Sequence, residues 1–331
     1  MNPSAQLRRL ALAIVCAALL ASASIGAQFS ANLSGPVLGY LFDANAGSLR
    51  PVQGILGSST IGRPVELGFT LSQALTVDPR HVIASTAGLP DLLILDLGET
   101  PFSIAAIPGV PAGPSLAESS LQGTSAALYD AAGHRVRIVT GLPQNPAASD
   151  VVDLSSVGTV TQMAISDDGR VLVFSAEDRG AETLYIWTAS SSVARMLMPV
   201  GSVGGIAMMG NGAAAIVADR AANEVYAVWD PGGAAMPQFL AGARDGVSIP
   251  VGVAVSAANR IYIANSGSAT IMTLDSSGRL VKSQDCGCAV SGAHALRDSV
   301  FRLTNRLDRT IFLLDASSTE DRILFVPKPE N

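Results

Sequence analysis

A unit of four short apolar strands separated by turns recurs along this chain. Its clearest copy, VGVAVSAANRIYIANSGSATIMTLDSSGRLVKSQ, runs from Val251 to Gln284, and further copies begin near residues 74, 115, 160, 204 and 293. The predicted third strands end at intervals of 40–53 residues, at Asp43, Asp96, Thr140, Thr188, Asp230, Asp275 and Asp315. A four-stranded repeat with a period of about 40–50 residues is typical of β-propeller blades.

The strand character of the repeat is clear in its apolar runs. Ile261 to Ala264 and Thr183 to Trp187 are β-branched and aromatic runs between turn residues, as expected of strands. The first strand of each copy is nearly all apolar, which indicates burial on both faces. The seven third-strand ends predict an all-β, seven-bladed β-propeller of four-stranded blades. The alternative is six blades plus an N-terminal hairpin.

Closure of the ring is predicted at the two ends of the chain. We interpret Pro36 to Leu56 as the third and fourth strands of the first blade, because few residues precede them. The last copy ends close to the C-terminus. N-terminal strands beside the last blade would hide edges that otherwise favour aggregation.

The N-terminus has the pattern of a secretory signal. Arg8 and Arg9 precede the apolar run from Leu10 to Ala21, and small residues follow. That order predicts a signal peptide over residues 1–27 and one propeller domain over residues 28–331. The apolar run is shorter than the roughly 20 residues of a membrane span. We therefore expect a secreted or periplasmic protein without a stable membrane anchor, and we expect a monomer.

Charge narrows the classes of partner. The chain carries a net charge of −6, and removal of residues 1–27 takes away Arg8 and Arg9 but no acidic residue. A nucleic-acid partner requires a basic face, so the acidic balance argues against one. No basic cluster that would attract a membrane surface is present either.

The repeat also resembles a known family. The phrases GVAVSAANRIYIANSGSATIMTLDSSGRL and AISDDGRVLVFS resemble NHL/YVTN-type repeats of secreted bacterial β-propellers. The resemblance covers about Ala74 to Val326 and is strongest from Val160 onward. It implies a binding or scaffolding role, as in many members, although a few members are enzymes. The motifs specify the fold and leave the activity open.

Polar turns are predicted to gather on one face of the ring. In such a blade, the loop between the second and third strands and the connection to the next blade open on the same side. The candidate binding residues on these loops and in the last blade are Asp178, Arg179, Asp219, Arg220, Asn265, Arg297, Asn305, Arg306, Asp308 and Arg309. The simpler alternative is that Asp, Asn and Ser cap turn backbone. Arg297 and Arg302 could also form ion pairs with Asp298, Asp308 or Asp315.

Cys286 and Cys288 lie in the connection between the last two blades, with Gly287 between them. A disulfide is the first candidate, although a bridge between residues two apart needs a tight turn at Gly287. Buried free thiols are the second candidate. A metal site is a weaker one, since His294 and Asp285 are the nearest further ligands and a closed zinc site needs four.

Catalytic patterns are weak throughout the sequence. No G-x-S-x-G motif occurs, and the three histidines lack a triad arrangement. Glu118 is the one carboxylate near a predicted inner strand, and one carboxylate does not form a cation cage. We therefore expect no metal and no cofactor. The sequence favours a binding module that recognises a protein, peptide or glycan on its loops; the alternative is a lactonase-like, metal-dependent hydrolase with a divergent site.

Overall fold

A computed structural model describes residues 35–99, 101–191 and 193–328, and it shows a ring of seven antiparallel sheets. The predicted signal peptide and the domain boundary after residue 27 lie outside these residues. The first strands of the sheets are β1 (Val37–Asp43), β4 (Leu71–Thr76), β8 (Leu116–Ser119), β12 (Thr159–Ile165), β16 (Val203–Met208), β20 (Pro250–Val255) and β24 (His294–Arg297). The second strands are β2 (Ser48–Ile55), β5 (His81–Thr86), β9 (Ser125–Asp130), β13 (Val171–Asp178), β17 (Ala214–Asp219), β21 (Ile261–Asn265) and β25 (Val300–Arg302).

The outer half of each sheet follows in the same order. The third strands are β3 (Ser58–Ile61), β6 (Asp91–Asp96), β10 (Arg135–Thr140), β14 (Ala181–Thr188), β18 (Glu224–Trp229), β22 (Thr270–Leu274) and β26 (Ile311–Asp315). The fourth strands are β7 (Ser103–Pro111), β11 (Ala147–Asp153), β15 (Arg195–Val200), β19 (Met236–Gly242), β23 (Leu280–Asp285) and β27 (Arg322–Val326). In the described residues, six sheets have four strands and the first has three.

The first strands form the inner wall of the ring. Each contacts the first strands of the two adjacent sheets, and β1 closes the circle by contacting both β24 and β4. The predicted seven-bladed β-propeller is therefore confirmed, and the six-blade alternative is wrong.

The first blade differs from its prediction. The segment from Pro36 to Leu56 forms the first and second strands of this blade, so Asp43 ends an inner strand. The physical reason is burial: Leu38 and Leu41 pack with Leu296 of the last blade, which places β1 at the centre. The other six predicted third-strand ends, from Asp96 to Asp315, do lie at the ends of third strands.

The core lies between adjacent blades rather than inside one sheet. Every residue of β17 is buried, because blades cover both of its faces. One buried cluster joins Ile216 and Val225 of the fifth blade to Ile263 and Met272 of the sixth. Buried apolar surface of this kind is the main favourable contribution to folding, and here it fixes each blade against the next.

Glycines allow neighbouring inner strands to approach closely. A Cβ atom at Gly204 would lie 2.0 Å from the carbonyl oxygen of Pro250, and one at Gly252 would lie 2.6 Å from the amide nitrogen of Ala293. Both distances are shorter than a carbon atom allows. The inner strands of the fifth and sixth blades therefore require these small residues where they approach the sixth and seventh blades.

A buried acid also links the last two blades. Asp321, which is 7% exposed, accepts a hydrogen bond from the Tyr262 hydroxyl at 3.0 Å and pairs with Arg260 at 2.8 Å and with Lys282 at 3.5 Å. A buried carboxylate needs such partners to offset its desolvation. Within the described part of the chain, no helix is long and apolar enough to cross a membrane.

Candidate functional site

The face that carries the polar loops follows from the strand order. Consecutive strands of each blade are antiparallel, so the loops between second and third strands and the connections between blades lie at the same end of the ring. We call this end the loop face. The loops between first and second strands and between third and fourth strands form the opposite face.

A central channel runs between the first strands, with a cavity of about 550 Å³. Its wall is mostly apolar or small, including Leu75, Ile206 and Val253. The titratable side chains that line it are Tyr40, Glu118, His294 and Arg302. The Tyr40 hydroxyl donates a hydrogen bond to the carbonyl of Leu97 at 3.1 Å and is therefore already used. The remaining three groups determine the chemistry of the channel.

Glu118 is the carboxylic acid of the channel wall. It lies on β8 of the third blade, half-buried, and its carboxyl group has no hydrogen bond or ion pair within the described residues. Desolvation by the surrounding protein raises the pKa of Glu118 to about 7. The channel therefore carries an acid that is partly protonated at neutral pH.

His294 and Arg302 face the channel from the last blade. They are directly paired across β24 and β25, at the end of these strands nearest the loop face. The side chain of His294 is exposed in the channel. Desolvation by the protein around the channel, together with the positive charge of Arg302, lowers the pKa of His294 to about 4. His294 is therefore neutral at pH 7.

The guanidinium of Arg302 is half-buried in the channel wall. Desolvation lowers the pKa of Arg302, and the group has no hydrogen bond or ion pair with any residue that the structure describes. Asn305 lies beside this pair in the loop after β25, and its Nδ2 is 3.5 Å from Nε2 of His294. His294, Arg302 and Asn305, which we call the channel-mouth cluster, bring polar donors together at one side of the channel.

Two of the predicted loop residues are turn caps. Asp219 is 4% exposed and accepts hydrogen bonds from four backbone amides, including those of Gly201 and Ala222. Asn265 is fully buried, and its side chain bonds Ser248 and Thr270. The structure therefore gives both side chains the backbone-capping role that polar turn residues often have.

Most of the other predicted residues are exposed on the loop face. Asp178 and Arg179 are 3.9 Å apart, Arg306 pairs with Asp308 at 2.6 Å, and Arg220 donates to the Ser202 hydroxyl at 3.0 Å. These are solvent-exposed contacts, which contribute little to stability. Arg309, beside Asp308, is exposed and has no ion pair among the described residues. The long loop between β25 and β26 thus presents charge next to the channel-mouth cluster.

Arg297 lies elsewhere. It is the last residue of β24, at the end nearest the opposite face. Two of the acids that Arg297 and Arg302 were expected to pair with have other partners. Asp308 pairs with Arg306, and Asp315 pairs with Arg322 at 2.5 Å.

Cys286 and Cys288 form a disulfide in the structure, with 5.0 Å between their Cα atoms. Gly287 adopts φ 62°, and its amide donates to the Asp285 carboxylate at 2.8 Å, which closes the tight turn. Cys286 is buried among Val290 and Leu303. The pair therefore packs the connection between the last two blades.

Metal-ligating side chains do not gather in the described part of the chain. No group of three or more His, Cys, Asp or Glu residues there is arranged to hold a metal ion. Glu118 and His294 line the channel from different blades, and neither has a second carboxylate beside it. This donor set does not form the oxygen cage that a hydrolase of the alternative class would use.

Sequence reasoning singled out Glu118 but omitted His294 and Arg302 from the candidate binding residues. The signal that could have found Arg302 is a charged residue inside the short strand VFR, whose other side chains are buried. The signal for His294 is weaker, because its position opposite Arg302 depends on the pairing of β24 with β25.

Comparisons with known proteins support the fold of the chain only. No protein-family model matches the chain, and a comparison with curated proteins finds no match in sequence. A functionally unknown protein from Desulfotomaculum acetoxidans DSM 771 is similar in structure, with a TM-score of 0.59 and 15% identity over 88% of this chain and 99% of that one. Virginiamycin B lyase from Staphylococcus aureus is also similar, with a TM-score of 0.51 and 12% identity over 76% of this chain and 82% of that one. These similarities place the chain among β-propeller proteins.

Proposed function

We propose that this protein is a non-catalytic binding or scaffolding module that recognises a protein, peptide or glycan on its loop face. The observation that carries the proposal is the loop between β25 and β26, which exposes Arg306 and Arg309 beside the open channel. Exposed polar loops on a rigid scaffold are where binding residues concentrate. The interlocked blades supply that scaffold.

The wider setting is part of the same proposal. We infer a secreted or periplasmic protein on the N-terminal pattern of Arg8, Arg9 and the apolar run after them. The repeat phrases AISDDGRVLVFS and GVAVSAANRIYIANSGSATIMTLDSSGRL support NHL/YVTN-type repeats, and we propose a monomer. Oxidised Cys286 and Cys288 are compatible with an exported protein, since disulfides persist in such compartments.

The test is a binding screen with matched charge variants. Peptide and glycan arrays would be probed with the wild type, with the double variant Arg306→Ala/Arg309→Ala, and with Arg170→Ala/Arg279→Ala. The control pair removes two exposed arginines from the loops of the opposite face. We expect Arg306→Ala/Arg309→Ala to bind the array ligand of the wild type at least ~10-fold more weakly, because charged contacts are lost.

Two outcomes would contradict the proposed loop-face binding. Equal weakening by both double variants would show a general charge effect and contradict loop-face recognition. Turnover of lactone or ester substrates that disappears in Glu118→Gln would instead support the hydrolase alternative.

A further inference from the structure

The central channel contains a cation without a partner. Several arginines of the described residues pair with an acid, as Arg50 does with Asp43 and Arg322 does with Asp315. Arg302 is half-buried in the channel wall and has neither an ion pair nor a hydrogen bond among the described residues. Burying a charge without a partner costs free energy, and an anion in the channel would remove that cost.

The surroundings of Arg302 suit an anion of single charge. His294 is neutral at pH 7, and the Asn305 amide beside it is an uncharged donor. The site therefore offers one full positive charge and additional neutral donors. A guanidinium matches the two oxygens of a carboxylate in a bidentate fork, whereas a phosphate dianion would need more positive charge.

The His294 ring lies against the Gly292 backbone. A Cβ atom at Gly292 would lie 2.4 Å from Nε2 of His294. His294 is directly paired with Arg302 across β24 and β25, so the two side chains share one face of the blade. The site therefore combines several side chains and is more than a single arginine.

The rest of the channel has room for the body of a small molecule. Its lining mixes apolar side chains such as Ala74 and Ile206 with polar ones such as Gln162, and the cavity of about 550 Å³ lies within the usual range for small-molecule sites. Glu118 is the carboxyl group among the lining residues, and it is not paired with Arg302 in the described structure. A carboxylate that enters the channel can therefore pair with the guanidinium of Arg302.

We propose that the channel-mouth cluster of His294, Arg302 and Asn305 binds the carboxylate group of a small organic acid whose remaining part lies in the channel. This site goes beyond the loop-face function, because it lies inside the ring and takes a small molecule. The guanidinium of Arg302 binds the carboxylate oxygens, and Asn305 and His294 supply further hydrogen bonds.

The experiment is calorimetric titration of butyrate into the purified protein, with uncharged butyramide and inorganic phosphate as comparison ligands. We expect saturable butyrate binding, at least ~10-fold weaker binding of butyramide, and a similar loss in Arg302→Gln. Arg302→Lys keeps the positive charge but loses the bidentate geometry of the guanidinium, so we expect butyrate to bind this variant several-fold more weakly. The matched control, Arg170→Ala/Arg279→Ala, removes two exposed arginines from the opposite face and should bind butyrate as the wild type does.

A second measurement needs no change at Arg302. The chain has three histidines, so the imidazole resonances of His294 can be assigned by comparison with His294→Gln. Saturating butyrate should raise the pKa of His294 from about 4, because the carboxylate offsets the charge of Arg302. Of the other titratable groups that line the channel, Tyr40 is hydrogen-bonded to Leu97, and Glu118→Gln removes the acid as a source of the shift.

The proposal is overturned by any of three results. These are butyrate binding that is absent in the folded wild type, butyrate binding that is unchanged in Arg302→Gln, and tighter Arg302-dependent binding of phosphate than of butyrate. An unchanged His294 titration at saturating butyrate would also contradict it.

Discussion

At the scale of single residues, the polar side chains of this protein divide into two groups. Asp219 and Asn265 accept hydrogen bonds from nearby backbone amides, so they stabilise turns. Glu118 and Arg302 point at the channel and have no such partners in the described residues. Unpaired polar groups in a cavity are the usual sign of a binding position.

Glu118 leads to a prediction about stability and pH. Its folded pKa of about 7 exceeds its ordinary value of 4.5, so the folded state holds the proton more tightly than the unfolded state between these values. Stability is therefore lost as pH rises from 4.5 through 7. The rise in pKa corresponds to at most ~3 kcal/mol, and channel water reduces this to about 1–2 kcal/mol.

Glu118→Gln should remove that loss. We expect the free energy of unfolding of the variant, relative to the wild type, to rise by about 1–2 kcal/mol between pH 4.5 and pH 8. Guanidinium unfolding at both pH values measures it, and the comparison cancels the opposite titration of His294. Glu320→Gln, at an exposed position, is the matched control. A difference that does not change with pH would contradict the raised pKa.

At the scale of elements, the connection between the last two blades is held by local geometry. The disulfide, the turn at Gly287 and the buried side chain of Cys286 all lie within the segment that leads into β24. This segment therefore helps to position His294, the first residue of that strand.

The disulfide yields a thiol prediction. Protein lacking residues 1–27 should show no free thiol after denaturation without reductant, because Cys286 and Cys288 are then its only cysteines. Two free thiols would show that the bridge does not form. Cys286→Ala/Cys288→Ala should lose only about 1–2 kcal/mol of stability, since the bridge closes a very short loop. A much larger loss in thermal or denaturant unfolding would point to a different role for the turn.

At the scale of the whole molecule, stability depends on closing the ring. β1 is the inner strand of the first blade and contacts the last blade through Leu38 and Leu41, which pack with Leu296 and Val300. The first blade is the point at which the two ends of the described chain meet. The second to sixth blades each lie between neighbours that are adjacent in sequence.

Ring closure can be tested with one core substitution. Leu38 is 4% exposed, and Leu38→Ala should lower the free energy of unfolding by about 2–5 kcal/mol. Ile55→Ala, at 63% exposure on β2 of the same blade, should change it by less than about 0.5 kcal/mol. Equal effects in denaturant unfolding would show that the first blade does not close the ring.

The sequence by itself determined the blade count and most of the strands. Strand period, turn residues and the polar ends of third strands such as Asp96 and Asp275 are local features, and local interactions largely decide them. The same local patterns suggested that Asp and Asn side chains cap turns, as Asp219 and Asn265 do.

Only the tertiary structure decided how the ring closes and what meets at its centre. Whether β1 is an inner or an outer strand depends on its packing with Leu296, more than 250 residues away in the chain. Glu118, His294 and Arg302 likewise line one channel because blades three and seven face the same axis. Such contacts bury segments that are distant in sequence against one another, so a local sequence pattern cannot predict them.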